Sequence, residues 1–247
     1  MAALLVVNGH IFLFGNPTSP LTRYMNLGPC CVSLFYFLSG YGLIYSYKTR
    51  GNAYLKSFFS RRFIKLLMPL LVAYVITLPI YSLLKAPIDW QEVFSTILWG
   101  GPYLKFSWYV TEIAGIYLLF YITMRLKAKL VNKLITLSVE ILMLMTVLFF
   151  ANQPIWYIVS LPGFIAGIWY EYYEKRIISK ITFQSLIFFI AITVLIWFIA
   201  WQWHYTGGFI LTAYRYEFIS MFVSALLFPI IVIALTFNSR ITPPICL

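Results

Sequence analysis

Five side chains in this sequence combine residue type and position in a way that could do chemistry. His10 sits in the apolar run 1–14, about five residues, or roughly 7 Å, inside a boundary at Gly15. An imidazole at that depth is costly unless it faces protein or a water-filled cavity, which makes it a functional candidate by default. Near neutral pH it can take a proton from a hydroxyl, although a hydrogen bond to a helix neighbour would also account for it. Glu112 lies at a similar depth, about five residues into the apolar stretch that begins at Ser107, so the two could meet. A buried carboxylate can orient an imidazole and stabilise its cation; a bond to a nearby Tyr or Trp is the alternative. Arg61, Arg62 and Lys65 close a basic stretch, with Arg62 and Lys65 spaced i, i+3 on one helix face. Such cations can clamp phosphates, Arg through paired contacts and Lys as a point charge. They can also answer anionic headgroups beside a membrane helix.

These side chains are set in a strongly apolar chain. Of 247 residues, 62% are apolar, 20% aromatic and 10% charged, and the mean hydropathy is +0.87. Soluble domains run at about 45–50% apolar and about 25% charged. The chain therefore reads as an all-α, polytopic transmembrane helical bundle in a lipid bilayer. Its net charge of +11 does not point to nucleic acid, because the cations fall between apolar runs and form no single surface. Cys30, Cys31 and Cys246 offer neither a CxxC pair nor a disulfide framework. Two histidines, His10 and His204, are too few for a site that needs three or four ligands, so no metal is expected.

About eight spans are legible in the hydropathy. The run 1–14 covers only about 21 Å of a hydrocarbon core of about 30 Å, so it reads as the remainder of a longer first span, in a chain truncated at both ends. Further spans are expected at 30–47, 66–84, 107–124, 134–151, 155–170, 183–201 and 216–237. Residues 1–237 form one transmembrane domain, and 238–247 a short tail. Pro69 falls in the first turn of the third span, where a missing N–H costs least, and Pro79 should bend that span. Ser39, Gly40 and Tyr41 stand in the middle of the second span, where small residues either let helices approach closely or line a narrow acyl path. Residues 85–106 read as a loop whose Trp90 and Trp99 suit the membrane interface. Glu140, in the fifth span, reads as a structural polar contact. The loops after spans two, four and six, together with the tail, carry fourteen Lys and Arg, whereas the others carry four. The positive-inside rule places the first set and both termini in the cytoplasm.

The order of these segments resembles a known family. An apolar helix ending in His10, then LFYFLSGYGLI, FSRRFIKLLMP and SWYVTEIAGIYLLFY, is similar to the integral-membrane acyltransferase 3 family, whose members acylate cell-surface polysaccharides and related acceptors. The similarity covers Met1 to about Tyr121. It implies that His10 is the family's first-span catalytic histidine and that Phe35 to Tyr41 is its FFxLSGF segment, with Tyr in place of the last Phe. Arg61, Arg62, Lys65 and Pro69 match its basic motif, with Lys for the last Arg; Trp108, Tyr109 and Tyr117 match its fourth-span aromatic segment. A basic residue that the family carries about three turns before the histidine would precede Met1.

On this resemblance the chain is expected to be an O-acyltransferase. It would move an acyl group, acetyl being the expected one, from acyl-CoA to a hydroxyl of a cell-surface or exported carbohydrate acceptor. His10 would be catalytic, joined by Glu112 on the ground of its depth and not of the family motif, and Arg61, Arg62 and Lys65 would hold the acyl-CoA. Ser39, Gly40, Tyr41, Trp108 and Tyr109 would flank the substrate path, and the expected place is the inner (plasma) membrane, crossed many times. Two other readings stay open. One is a transporter or lipid-linked glycan carrier, with Glu112 and Glu140 in a substrate path; the other is an inactive fragment of the acyltransferase.

Overall fold

A computed structural model describes residues 28–84, 87–99, 103–104 and 107–179, with six single positions between 184 and 195. Among the described residues every regular element is a helix, which suits a bilayer because a helix satisfies its own backbone groups. The run 1–14, the eighth span, the tail and about two thirds of the seventh span lie outside the described residues. Helix α1 is Gly28–Arg50 and α2 is Asn52–Lys56; a π-helical turn, Phe59–Phe63, then leads directly into α3, Ile64–Leu83. There follow α4 (Trp90–Trp99), α5 (Trp108–Met124), α6 (Leu130–Phe150), α7 (Ile155–Val159) and α8 (Leu161–Ile178). The chain divides into two compact units. A central unit takes Tyr45–Phe150, and a flanking unit takes the residues up to Ile44 and from Ala151 onward.

Several boundaries differ from the hydropathy reading: residues 85–106, read as a loop, hold helix α4, which the Asp89 carboxylate caps, and α6 starts four residues early. The basic linker between the second and third spans is largely helical; Gly51, at φ 54°, turns the chain between α1 and α2 in the left-handed region that suits glycine. Because helical structure begins upstream of Leu66, Pro69 is not in a first turn, and both Pro69 and Pro79 lie inside α3. The sixth span breaks at Ser160, with Pro162 at the start of α8, where a missing N–H is harmless. That helix then continues past Tyr170 to Ile178, because its polar end still packs: Glu171 is buried, and Glu174 accepts a 2.8 Å hydrogen bond from the Tyr41 hydroxyl.

Two apolar helices of the central unit carry an exposed apolar stripe; α6 also has a buried face, whereas α3 buries only Tyr74. In α3, Ile64, Met68, Leu71, Val72, Val75, Ile76, Ile80 and Leu83 are exposed along a stripe of helical period, whereas Tyr74 turns inward. In α6, Ile135, Val139, Leu142 and Val147 are exposed, whereas Leu134, Leu137, Ile141 and Leu148 are buried. Apolar stripes of this length are a liability in water but match lipid tails. Phe59–Leu83, with 25 residues, and Leu130–Phe150, with 21, are long enough to cross a bilayer, which takes about 20.

Candidate functional site

Among the described residues of the central unit the cations collect at one end, and hydrogen bonds identify the segments that meet there. The Tyr47 hydroxyl, near the C-terminus of α1, donates to the carbonyl of Met124, the last residue of α5, at 3.3 Å. It also accepts from Lys133 Nζ, in the first turn of α6, at 2.9 Å. Lys133 donates to the same Met124 carbonyl at 2.8 Å and lies 5.2 Å from the Tyr47 ring centroid. The last carbonyls of a helix lack intrahelical partners and carry the negative end of its dipole, so a lysine only 7% exposed has its compensation there. The ends of α1 and α5 and the start of α6 therefore share one end of the unit. Residues 48–65 and 125–133 bring six and four Lys and Arg to it, and neither stretch has an Asp or Glu.

The π turn carries Arg61 and Arg62. Its Ile64 N–H donates to the Phe59 carbonyl five residues back, and aromatic packing on α5 holds it in place. Phe58, fully buried, stacks on Phe120 and Tyr121 with centroids 5.5 and 5.7 Å apart, and Phe59 meets Tyr121 edge-on at 4.7 Å. Such offset and edge-on pairs are the favoured aromatic arrangements, and π turns recur at functional sites. Arg62 is half-buried, and its Nε donates to the Tyr54 hydroxyl at 3.1 Å. Tyr54 itself is 1% exposed, and Arg50 Cζ lies 5.0 Å from its ring centroid. One buried tyrosine thus holds two guanidinium groups, one by its hydroxyl and one by its ring. Arg61 and Lys65 are exposed. Helical spacing pairs Arg62 with Lys65, whereas the fold brings Arg62 to Arg50, on the far side of Gly51, a partner that no periodicity signals.

The opposite end of the same unit lies between the end of α3 and the start of α5. There the Asp89 carboxylate caps α4, accepting from the N–H of Gln91 at 2.8 Å and of Glu92 at 3.4 Å, while the Asp89 N–H donates to the Tyr103 hydroxyl at 2.8 Å. Tyr103, Val93 and Tyr74 form a buried cluster beneath, and an open cleft of about 540 Å³ lies over Asp89, Trp90 and Glu92. Trp108 and Tyr109 open α5 with their rings perpendicular at 6.3 Å, and Glu112, half-buried, follows one turn on. His10 lies outside the described residues. Glu140 accepts a 2.6 Å hydrogen bond from Thr123, which is fully buried, so α5 and α6 share a polar contact of the kind that joins membrane helices.

In the flanking unit the small residue of the second span serves packing. A Cβ on Gly40 would come within 2.5 Å of the Phe164 carbonyl, and one on Gly167 would run into the backbone of Phe37. Ser33 meets Gly163, Phe37 meets Gly167 and Tyr41 meets Glu174, so α1 and α8 run parallel at a separation that small residues permit. Ser39 is half-buried on the same helix. The Gly163-x-x-x-Gly167 spacing was the sequence signal for this contact, and it lies in a span read only by hydropathy; Arg50, Tyr54 and Lys133 had no such signal. Among the described residues no cluster of three His, Cys, Asp or Glu could hold a metal ion.

A family model described as an acyltransferase domain matches residues 1–244. No curated protein and no solved structure matches the chain significantly.

Proposed function

The chain belongs to the acyltransferase 3 family, and from that premise we propose that it is a membrane O-acyltransferase moving an acyl group, acetyl in the first instance, from acyl-CoA to a hydroxyl of a cell-surface or exported carbohydrate. The observation that carries this reading is the one-sided set of cations among the described residues of the central unit. Arg62 uses its Nε on Tyr54 and has no other polar partner among the described residues, which leaves its terminal nitrogens for a ligand. Acyl-CoA is rich in phosphate, the group that guanidinium contacts best in paired fashion. Arg61, Arg62 and Lys65 are the residues we assign to it, on the cytoplasmic side of the inner membrane, where positive loops are retained.

His10 is the proposed base. It takes the proton of the acceptor hydroxyl as the oxygen attacks the thioester carbonyl; the new C–O bond forms, the C–S bond breaks, and the leaving thiolate of CoA takes up a proton. Glu112 is the carboxylate assigned to stabilise the imidazolium formed in that step. A carrier reading would need its intramembrane carboxylates for substrate, whereas Glu140 is already engaged by Thr123. Transfer of labelled acetyl from acetyl-CoA to membrane glycan should fall by at least about 100-fold in His10→Ala, with the protein still inserted. Full activity in that variant would contradict the assignment.

A further inference from the structure

We propose that Tyr54 braces Arg50 and Arg62 into a two-arginine clamp for a phosphate-bearing group, with Arg50 as a binding residue and Tyr54 as the positioning residue. The inference rests on reading the basic end as the donor side. Tyr54 is buried and packed edge-on against Phe58 at 5.6 Å, and close packing of this kind holds a ring in place. The local backbone fixes it further: Gly51 N–H donates to the Tyr47 carbonyl at 2.8 Å, and Tyr54 N–H to the Gly51 carbonyl at 3.1 Å, which sets the ring beside Arg50.

A free arginine loses many rotamers when it binds an anion; one already held loses fewer, and the difference appears as affinity. The bond from Arg62 Nε orients the guanidinium plane and leaves its two terminal nitrogens as a fork for phosphate oxygens. The contact of Arg50 with the ring uses the aromatic face and consumes none of its N–H donors. Neither arginine has a carboxylate partner among the described residues. A free nucleotide and a lipid headgroup share this phosphate chemistry, so the test must separate them.

The full chain, in nanodiscs of neutral phosphatidylcholine, is titrated with free coenzyme A. Arg50→Ala should weaken binding about tenfold and Tyr54→Phe, which keeps the ring, about fivefold, with the thermal midpoint of Tyr54→Phe unchanged. Because the hydroxyl acts through Arg62, the Tyr54→Phe effect should vanish in an Arg62→Ala background. Wild-type affinity in both Tyr54→Phe and Arg50→Ala, with Arg62→Ala still impaired, overturns the clamp while leaving the acyltransferase reading intact. A second set of discs contains phosphatidylglycerol. Nucleotide affinity that survives there supports a soluble ligand; no nucleotide binding in neutral discs, together with phosphatidylglycerol retention that depends on Arg50, overturns it in favour of a headgroup. Acetyl transfer by the wild type, measured alongside, tells failure of the clamp from failure of the proposed function.

Discussion

The two ends of the central unit are joined by the same helices, α3 and α5, yet they use their polar groups in opposite ways. Where α5 begins, the groups are matched to one another: the Asp89 carboxylate caps α4, and its backbone N–H reaches Tyr103. Where α5 ends, tyrosines hold cations: Tyr54 lies beneath Arg50 and Arg62, whose bonding capacity is only partly used, and Tyr47 lies beneath Lys133. An end where a carboxylate and a tyrosine hydroxyl are spent on backbone N–H groups helps close the fold, whereas guanidinium groups that are oriented but only partly used suit an anion. Lys133 marks the boundary between the two modes, since it sits among the cations but is buried, with its amine committed to Met124 and Tyr47.

The largest effect should come from Arg62→Ala, which would remove the proposed paired contacts to phosphate. The KM for acyl-CoA is expected to rise about 100-fold with a smaller change in kcat, and an equal rise in Asp89→Ala would erase the distinction between the ends. Next comes Lys133→Met, which takes one bond each from the Met124 carbonyl and the Tyr47 hydroxyl and leaves them the longer 3.3 Å bond to one another. It should cost about 2 kcal/mol of stability, read as a lower thermal midpoint, while donor KM moves less than about threefold. A large KM change there would move Lys133 into the ligand-binding group. The smallest effect is expected for Asp89→Ala, a lost helix cap worth about 1 kcal/mol, with turnover at saturating donor unaltered.

Hydropathy read the membrane helices well where burial and lipid exposure are both apolar: the fourth span, 107–124, is α5 almost residue for residue, and α6 starts only four residues ahead of the expected Leu134. It failed where distant contacts decide. The linker is helical because Phe58 and Phe59 pack on a helix much later in the chain. The sixth span outruns Tyr170 because Tyr41 supplies a partner for Glu174. Arg61, Arg62 and Lys65 were legible as a basic group, but not the tyrosine that sorts them, since Gly51 and the π turn break the helical register between Arg50 and Arg62.

The central claim is that an acyl-CoA donor is held at the cation-rich end of the central unit. It is tested most directly with sealed membrane vesicles of known orientation, supplied with labelled acetyl-CoA on one face at a time, using wild-type protein and Arg62→Ala. Label should enter glycan only when the donor is offered to the face bearing residues 48–65, and at sub-saturating donor that signal should fall about 100-fold in Arg62→Ala. Equal transfer from both faces, or undiminished transfer in the variant, would contradict the account.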